Sequence, residues 1–294
     1  HSTFPRGPRS SLAGGRCDAH RGGRLVTMTV RMIATDLDGT LVRSDGQSIS
    51  ARTRAALAAA EAAGLVVVLV TGRPPRWMAE VAEITGHTGL AICANGALLY
   101  DLHTAAVVDS HLLSPDVLRA VVLRLQAEIP ELRFGVEYGM TFAHEPEYRH
   151  GWAIGAPQTR VGPVDAIIDQ AAAKLLARHP TLDPDELLRR AVVALGEDAT
   201  VTHSSDYGLL EISAYGVTKA SALAELAGRH GIVADEVIAF GDMPNDLAML
   251  AWAGRAVAVA NAHSDVLAAA DEVTSSNDED GVARVVERVL AGRP

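Results

Sequence analysis

The chain has 294 residues, of which 48% are hydrophobic and 21% charged, and its formal net charge at pH 7 is −10. This length and composition are typical of a globular protein with a large buried core and exclude a fibrous or disordered chain. The acidic balance repels phosphate backbones, and no cluster of lysines or arginines follows residue 27, so nucleic acid is not an expected partner.

Residues 1–27 differ from the rest of the chain because they hold five arginines and a single acid, Asp18. They lack the apolar central region of a secretory signal. We expect a disordered leader here, with a transit peptide or a misplaced start site as alternatives. With the net +4 of this segment set apart, the remaining chain carries a charge of about −14.

The cysteines and the apolar stretches bear on the location of the protein. Cys17 and Cys93 are its two cysteines, and their spacing fits neither a disulfide framework nor a metal site. The longest apolar stretch, 64–70, is too short to span a bilayer. These features predict a cytoplasmic protein in a reducing environment, without a membrane partner.

From residue 28 onward, short β-branched runs alternate with segments rich in Ala and Leu. This alternation predicts βαβ units around a parallel sheet, and hence an α/β fold. We predict strands at 31–37, 65–70, 90–94, 237–240 and 256–259. We predict helices at 51–63 after an N-cap at Ser50, and at 75–84, 219–229, 246–252 and 282–290.

Residues 112–211 have a different texture. They contain a helix capped by Ser114, a hairpin around Tyr138, and a Gly- and Pro-rich stretch at 145–163 with little periodicity. Residues 171–178 look helical by propensity, but a helix begins at Asp183 and Pro184 only a few residues later, so we favour a strand at 174–177. We therefore predict a core made of 28–111 and 212–294, with an α/β domain inserted at 112–211.

Two carboxylates follow the first predicted strand, in the sequence Asp36-Leu37-Asp38-Gly39-Thr40. Because alternate side chains of an extended segment point the same way, both carboxylates address one small volume at the carboxyl edge of the sheet. An acidic turn is the simpler alternative. A Ca²⁺ loop would need an acidic or amide ligand where Thr40 stands.

Two further segments offer groups that bind phosphate. Thr71 and Gly72 follow the second predicted strand, where a hydroxyl and open backbone N–H groups suit a phosphoryl oxygen. Lys219 opens a predicted helix. Each signal is weak alone, because Thr-Gly turns are common and a lysine at a helix start is usually a solvated charge.

The fourth segment, 241–246, places two acids and an amide directly after an apolar strand. Asp246 on its own is compatible with a favourable negative charge in the first turn of a helix. That explanation does not account for Asp242, which ends a buried strand beside Asn245.

Together the four segments resemble the haloacid dehalogenase superfamily. Its four motifs are an Asp-x-Asp strand end, a Ser or Thr strand end, a Lys and an acidic strand end, and here each lies on the element that the fold requires. A narrower resemblance to the Cof-type group rests on 93–97, 216–219, 241–250, 260–262 and 276–283. The resemblance spans 28–294 and is thin across 145–170. It implies a Rossmann-like core with an inserted cap of the C2 type.

The resemblance also implies an activity and a set of roles. The protein would be a phosphatase that hydrolyses a small soluble phosphomonoester through an aspartyl-phosphate on Asp36, with Asp38 as general acid and base. Mg²⁺ would be held by Asp36, the main-chain carbonyl of Asp38 and Asp242. Thr71 and Lys219 would bind the transferring phosphoryl group.

Other residues would have supporting roles by the same resemblance. Gly72, Asn245 and Asp246 would support the phosphate and the outer shell of the metal. Arg73 and Asn95 face the cap in this group and are candidates for substrate contact.

The substrate and the assembly remain open at this stage. Sugar phosphates, flavin-pathway phosphates, pyridoxal phosphate and phosphoglycolate are all compatible with the resemblance, and 145–163 is the expected source of contacts to the leaving group. A phosphomutase of the same superfamily and a catalytically silent protein that binds phosphorylated metabolites are the alternatives. We expect a monomer or a small homo-oligomer.

Overall fold

The computed structural model describes residues 29–148, 159–204 and 208–293. The predicted leader at 1–27 and most of the predicted irregular stretch, 149–158, lie outside the described residues. In the described residues the strands are β1 (Met32–Thr35), β2 (Val66–Val70), β3 (Leu90–Cys93), β4 (Leu98–Asp101), β5 (Ala106–Ser110), β6 (Arg133–Glu137), β7 (Phe142–His144), β8 (Arg160–Val161), β9 (Lys174–Arg178), β10 (Ala199–Thr202), β11 (Leu209–Ala214), β12 (Val237–Gly241), β13 (Arg255–Ala258) and β14 (Glu272–Val273).

The helices agree closely with the sequence pattern. They are α1 (Ala51–Ala62), α2 (Met78–Thr85), α3 (Pro115–Glu128), α4 (Val164–Ile167), α5 (Pro184–Leu195), α6 (Lys219–Arg229), α7 (Leu247–Trp252), α8 (Ser264–Ala269) and α9 (Gly281–Ala291). The predicted N-caps are confirmed, because the side chains of Ser50, Ser114 and Asp183 accept hydrogen bonds from backbone N–H groups of the first turn.

Eight strands form one sheet in the order β14-β13-β12-β1-β2-β3-β4-β5. The strands from β14 to β3 pair in parallel, which confirms the predicted α/β core. The antiparallel hairpin β4–β5 extends the sheet beyond β3 and was not predicted. Its five-residue edge strand, β5, is mostly exposed and lacks the apolar pattern of a buried strand.

Helices cover both faces of this sheet because its strands are apolar on both sides. Residues alternate along β1, so that Ile33 packs with α1 and α9, whereas Met32 and Ala34 pack with α6, α7 and α8. Within the described residues, no helix is long and apolar enough to cross a membrane.

Six strands form a second sheet in the order β10-β11-β9-β6-β7-β8. The predicted hairpin around Tyr138 is confirmed as β6–β7, and the predicted strand at 174–177 is confirmed as β9. One face of this sheet packs on α3 and α5 through residues such as Leu175 and Ile212. The predicted domain boundary between 211 and 212 falls inside β11, which pairs with β9 and β10. We therefore propose that the inserted domain ends after Ala214.

The carboxyl ends of β1, β2, β3 and β12 lie side by side, since these strands are neighbours in the sheet. A short 3₁₀ helix, Ala94–Gly96, follows β3 and packs against the start of α6. Gly96 has φ +106°, and a Cβ there would lie 2.2 Å from the carbonyl oxygen of Thr218. This glycine therefore allows β3 and the first residue of α6, Lys219, to meet at one edge.

Gly96→Ala should destabilise the protein more than a positive φ alone explains. We expect a loss of about 3 kcal/mol in the free energy of unfolding, from the left-handed backbone and the displaced Thr218 carbonyl. Gly64→Ala is the matched control, because Gly64 has φ +80° but no atom within 4 Å of the added Cβ, and should cost about 1 kcal/mol. Urea denaturation of both variants measures the difference. Equal losses would contradict the close approach at Gly96.

Candidate active site

Acidic and polar side chains from adjacent strand ends meet at the carboxyl edge of the eight-stranded sheet. Asp36 follows β1, Thr71 follows β2, and Asp242 follows β12. All three are buried. The sequence predicted this convergence, because parallel strands end at a common edge.

The ammonium group of Lys219 lies at the centre of this cluster. Its Nζ donates to Asp36 Oδ1 at 2.5 Å and to Asp246 Oδ1 at 2.7 Å. Burial favours the neutral amine, but Asp246 and Asp36 outweigh it and raise the pKa of Lys219 above its ordinary value. The lysine is therefore a fixed cation between two acids.

Both carboxylate oxygens of Asp246 accept hydrogen bonds from protein donors. Its Oδ1 accepts from Lys219, and its Oδ2 accepts from the backbone N–H groups of Asp242 and Met243 at 3.0 and 3.1 Å. A Cβ at Gly241 would lie 2.5 Å from the Asp246 Cβ, so the strand end leaves no room for a side chain there. Asp246 thus positions Lys219 and the loop that carries Asp242.

Asp36 and Asp242 each keep one carboxylate oxygen without a hydrogen-bond donor among the described residues. Lys219 occupies Oδ1 of Asp36, and the Thr40 hydroxyl donates to Oδ1 of Asp242 at 2.7 Å. Ligand atoms of Asp36, Asp242 and Asp246 all lie within 4.8 Å of one another. Since both oxygens of Asp246 already accept hydrogen bonds from the protein, Asp36 and Asp242 are the pair best able to bind a cation.

The charges in the cluster fit a bound cation. Burial and then repulsion from Asp246 raise the pKa of Asp242 to about 7. Burial also raises the pKa of Asp36 well above its ordinary value, although Lys219 opposes the shift. A divalent cation between the two carboxylates would offset this repulsion.

Asp38 is held by the guanidinium of Arg73. The Arg73 Nε donates to the two Asp38 carboxylate oxygens at 3.1 and 2.9 Å, and Nη2 donates to Oδ1 at 2.5 Å. The backbone N–H of Arg73 donates to the Thr71 hydroxyl at 3.0 Å. Arg73 is therefore held by its backbone at Thr71 and by its guanidinium at Asp38. The sequence suggested a substrate contact for Arg73 and did not indicate Asp38 as its partner.

The predicted amides form a second buried contact. Asn245 Nδ2 donates to Asn95 Oδ1 at 3.1 Å. The Asn245 oxygen Oδ1 is buried and has no hydrogen-bond partner among the described residues. A buried amide atom of this kind is expected where a polar ligand binds.

A cavity of about 150 Å³ opens above these groups, between the two sheets. The predicted residues that line it are Asp36, Asp38, Gly72, Arg73, Asp242 and Asn245. The buried residues Thr71, Asn95, Lys219 and Asp246 stand behind this lining. Those lining residues that sequence reasoning missed come mainly from the six-stranded sheet and include Glu137, Phe142, Lys174, Leu176, Arg178, Leu209 and Glu211.

Two buried ion pairs line the cavity. Arg76 pairs with Glu137, and Lys174 pairs with Glu211 at 2.5 Å while donating to the Gly72 carbonyl at 2.8 Å. One feature of the sequence could have indicated these lining residues, namely a charged residue inside an apolar run. Glu211 is such a residue in Leu-Leu-Glu-Ile. Of the predicted irregular stretch, Tyr148 lines the cavity, and 149–158 lie outside the described residues.

The comparison with known proteins agrees with this geometry. A family model described as haloacid dehalogenase-like hydrolase matches residues 33–286. The chain belongs to this family. The predicted resemblance, the Rossmann-like core with a second α/β unit, and the class of enzyme, a phosphatase of the Cof-type group, are thereby confirmed.

Individual haloacid dehalogenase-like relatives match over nearly their whole length. YxeH of Bacillus subtilis (strain 168) is 33% identical over 272 residues, which are 89% of this chain and 99% of YxeH. The 5-amino-6-(5-phospho-D-ribitylamino)uracil phosphatase YcsE of the same strain is 30% identical over 260 residues, which are 87% of this chain and 94% of YcsE. A haloacid dehalogenase-like hydrolase structure from Bacteroides thetaiotaomicron has a TM-score of 0.70 and 28% identity, covering 88% of this chain and 99% of that one.

The raised pKa of Asp242 predicts a pH-dependent stability of the metal-free protein. The folded pKa of about 7 lies above the ordinary value of 3.8, so the folded chain holds a proton that the unfolded chain has released. The stabilisation is therefore complete below the ordinary pKa and is lost as the pH rises through 7. We expect the free energy of unfolding in EDTA to fall by on the order of 2–4 kcal/mol between pH 4 and 8.

Asp242→Asn is the matched variant for this measurement. It removes one titrating group and keeps the side-chain shape, so its unfolding free energy should depend less steeply on pH, and it should exceed the wild type in stability at pH 8. Asp36 keeps some slope in the variant because its pKa is raised too. Denaturation curves that show equal or steeper pH dependence in Asp242→Asn would refute this assignment.

Proposed function

We propose that this enzyme is a Mg²⁺-dependent phosphatase that hydrolyses a small soluble phosphomonoester through an aspartyl-phosphate on Asp36. The observation that carries the proposal is the Asp36 carboxylate at the base of the cavity, fixed by Lys219 and adjacent to Asp242. A buried, oriented carboxylate with one oxygen facing a cavity is suited to nucleophilic attack.

In the first step, an Asp36 oxygen attacks the phosphorus atom and the bond from phosphorus to the ester oxygen breaks. Asp38 donates its proton to the leaving oxygen, which departs as an alcohol. The hydrogen bonds described above orient the carboxylate form of Asp38, which accepts them from Arg73. Lys219 holds Asp36 in place and, with Thr71 and Gly72 nearby, offsets the negative charge of the phosphoryl group.

In the second step, a water molecule attacks the phosphorus atom of the aspartyl-phosphate. Asp38, now a carboxylate, takes a proton from this water, and the bond from phosphorus to the Asp36 oxygen breaks. Inorganic phosphate leaves, and both aspartates return to their starting protonation states. The same residue acts as acid and then as base, as the symmetry of the two displacements requires.

The metal would be held by Asp36, the main-chain carbonyl of Asp38 and Asp242. When bound, it would supply positive charge to the phosphoryl oxygens and to the crowded carboxylates. The hard oxygen donors of this site suit Mg²⁺. Asp246 and Asn245 stand in the outer shell, where Asp246 fixes the loop of Asp242 and the Asn245 amide is available to the phosphate.

The relatives support a small phosphorylated metabolite as the substrate. YcsE, which is named for a phosphorylated ribitylaminouracil, matches over most of its length. The cavity between the two sheets would hold the leaving group, and a bound substrate would displace water from it, which strengthens the interactions around the reacting groups.

Asp36→Asn should abolish turnover, because an amide is a poor nucleophile and contributes no charge to the metal. Asp38→Asn should retain some activity, with kcat lower by a factor of about 10² to 10⁴, the usual effect of losing general acid and base catalysis. Hydrolysis of p-nitrophenyl phosphate with added MgCl₂ measures both variants.

Two controls complete this test. Asp116→Asn changes an exposed acid at the start of α3 and should match the wild type. Circular dichroism should show that all three variants keep the wild-type fold. Near-wild-type, metal-dependent hydrolysis by Asp36→Asn would rule out the proposed mechanism.

A further inference from the structure

The face of the six-stranded sheet that points away from α3 and α5 forms the roof of the cavity. Along β9, Lys174, Leu176 and Arg178 line the cavity, whereas Leu175 and Ala177 lie in the apolar core. Along β11, Leu209 and Glu211 line the cavity in the same alternation. Because alternate residues of a strand point to opposite faces, one face of this sheet lines the cavity and can contact a bound molecule.

Lys174 and Glu211 form a buried ion pair on this face. Lys174 Nζ donates to Glu211 Oε1 at 2.5 Å, and the Ser204 hydroxyl donates to Glu211 Oε2 at 2.6 Å. The side chains of the pair are 5% and 6% exposed. Burial opposes ionisation of Glu211, but Lys174 outweighs this and lowers the pKa of Glu211, which favours its carboxylate form.

The pair has hydrogen-bonding capacity beyond its contacts within the protein. An ammonium group has three N–H donors, and Lys174 directs two of them to Gly72 and Glu211. The described residues supply no further acceptor for the third donor. A carboxylate has about four acceptor positions, and Lys174, Ser204 and the nearby Asn95 amide fill at most three of those on Glu211.

A buried ion pair between two neighbouring strands adds little stability to a sheet, because desolvating two charges offsets most of their attraction. Neither Lys174 nor Glu211 takes part in the proposed displacement steps. Both line the cavity, and Lys174 contacts the carbonyl of Gly72, which lies beside the proposed phosphate site. Their position is therefore next to the leaving group.

We propose that Lys174 and Glu211 bind a hydroxyl group of the leaving alcohol, so that the enzyme selects phosphomonoesters of hydroxylated alcohols such as polyols and sugars. A hydroxyl accepts a hydrogen bond from the Lys174 ammonium and donates one to the Glu211 carboxylate at the same time. This inference rests on the proposed phosphatase function and names its substrate class.

Charged leaving groups fit this pair less well. A carboxylate on the leaving group would be attracted by Lys174 but repelled by Glu211 and by the catalytic acids. An ammonium group would be attracted by Glu211 but repelled by Lys174. A purely alkyl leaving group would offer no hydrogen-bonding group to the polar atoms of the pair and would displace water from them.

The test compares two phosphomonoesters of equal carbon number, sorbitol 6-phosphate and hexyl phosphate, with p-nitrophenyl phosphate as a general substrate. The measured quantity is the ratio of kcat/KM for sorbitol 6-phosphate to kcat/KM for hexyl phosphate. For the full-length wild-type enzyme with MgCl₂ we expect a ratio of at least about 10, the effect of one hydrogen bond to a charged group.

Glu211→Gln keeps the size of the side chain but removes its charge. It should lower the ratio about tenfold, mainly through sorbitol 6-phosphate, with a much smaller effect on hexyl phosphate. Ser204→Ala, a milder change that removes one hydrogen bond to Glu211, should lower the ratio about two- to fivefold. Glu128→Gln is the matched control, since Glu128 is exposed on α3 and pairs with Arg190, and the ratio should not change.

Each contrary outcome identifies a different error. A ratio near one in the wild type, with p-nitrophenyl phosphate hydrolysed normally, would overturn the selection of hydroxylated substrates and leave the phosphatase function standing. Equal losses on all substrates in Glu211→Gln and Ser204→Ala would show that the pair only stabilises the six-stranded sheet and its contact with Gly72, and would also overturn the proposal. Absence of hydrolysis of every phosphomonoester would overturn the proposed function and this inference together.

Discussion

The site depends on one ammonium group placed between two carboxylates. Lys219 neutralises part of a cluster in which Asp36 and Asp242 have raised pKa values because they are buried close to other acids. Removing one partner from such a buried network usually costs about 3–5 kcal/mol, since the remaining charge has no compensation. The start of α6 must therefore lie against the ends of β1 and β12, and the glycines at 96 and 241 permit these approaches.

A second constraint is that the same pocket must close over the substrate. The six-stranded sheet supplies the roof, and its charged side chains reach the catalytic loops, as Lys174 does at the Gly72 carbonyl. Under the proposed function, the core would contact the groups that all phosphomonoesters share, while the roof would contact the part in which they differ. Chemistry and selectivity would then depend on different sheets, so that one could vary without altering the other.

The sequence was sufficient for the parts of the molecule that depend on local pattern. Strand ends at Asp36 and Asp242 could be predicted because apolar runs of strand length stop there, and helix starts could be predicted from capping residues. The β4–β5 hairpin could not, because β5 is an exposed edge without alternation. The pairing of Arg73 with Asp38, and of Lys174 with Glu211, joins residues 35 and 37 positions apart, and single-sequence periodicity carries no information on such partners.

The most direct test of the account is chemical identification of the phosphorylated residue. The enzyme would be mixed with p-nitrophenyl phosphate and MgCl₂, quenched in acid, reduced with sodium borohydride, and mapped by peptide mass spectrometry. Borohydride converts an aspartyl-phosphate to homoserine, so the account predicts homoserine at position 36 in the wild type and none in Asp36→Asn. Homoserine at another aspartate, or none at position 36 in an enzyme that is turning over, would contradict the central claim.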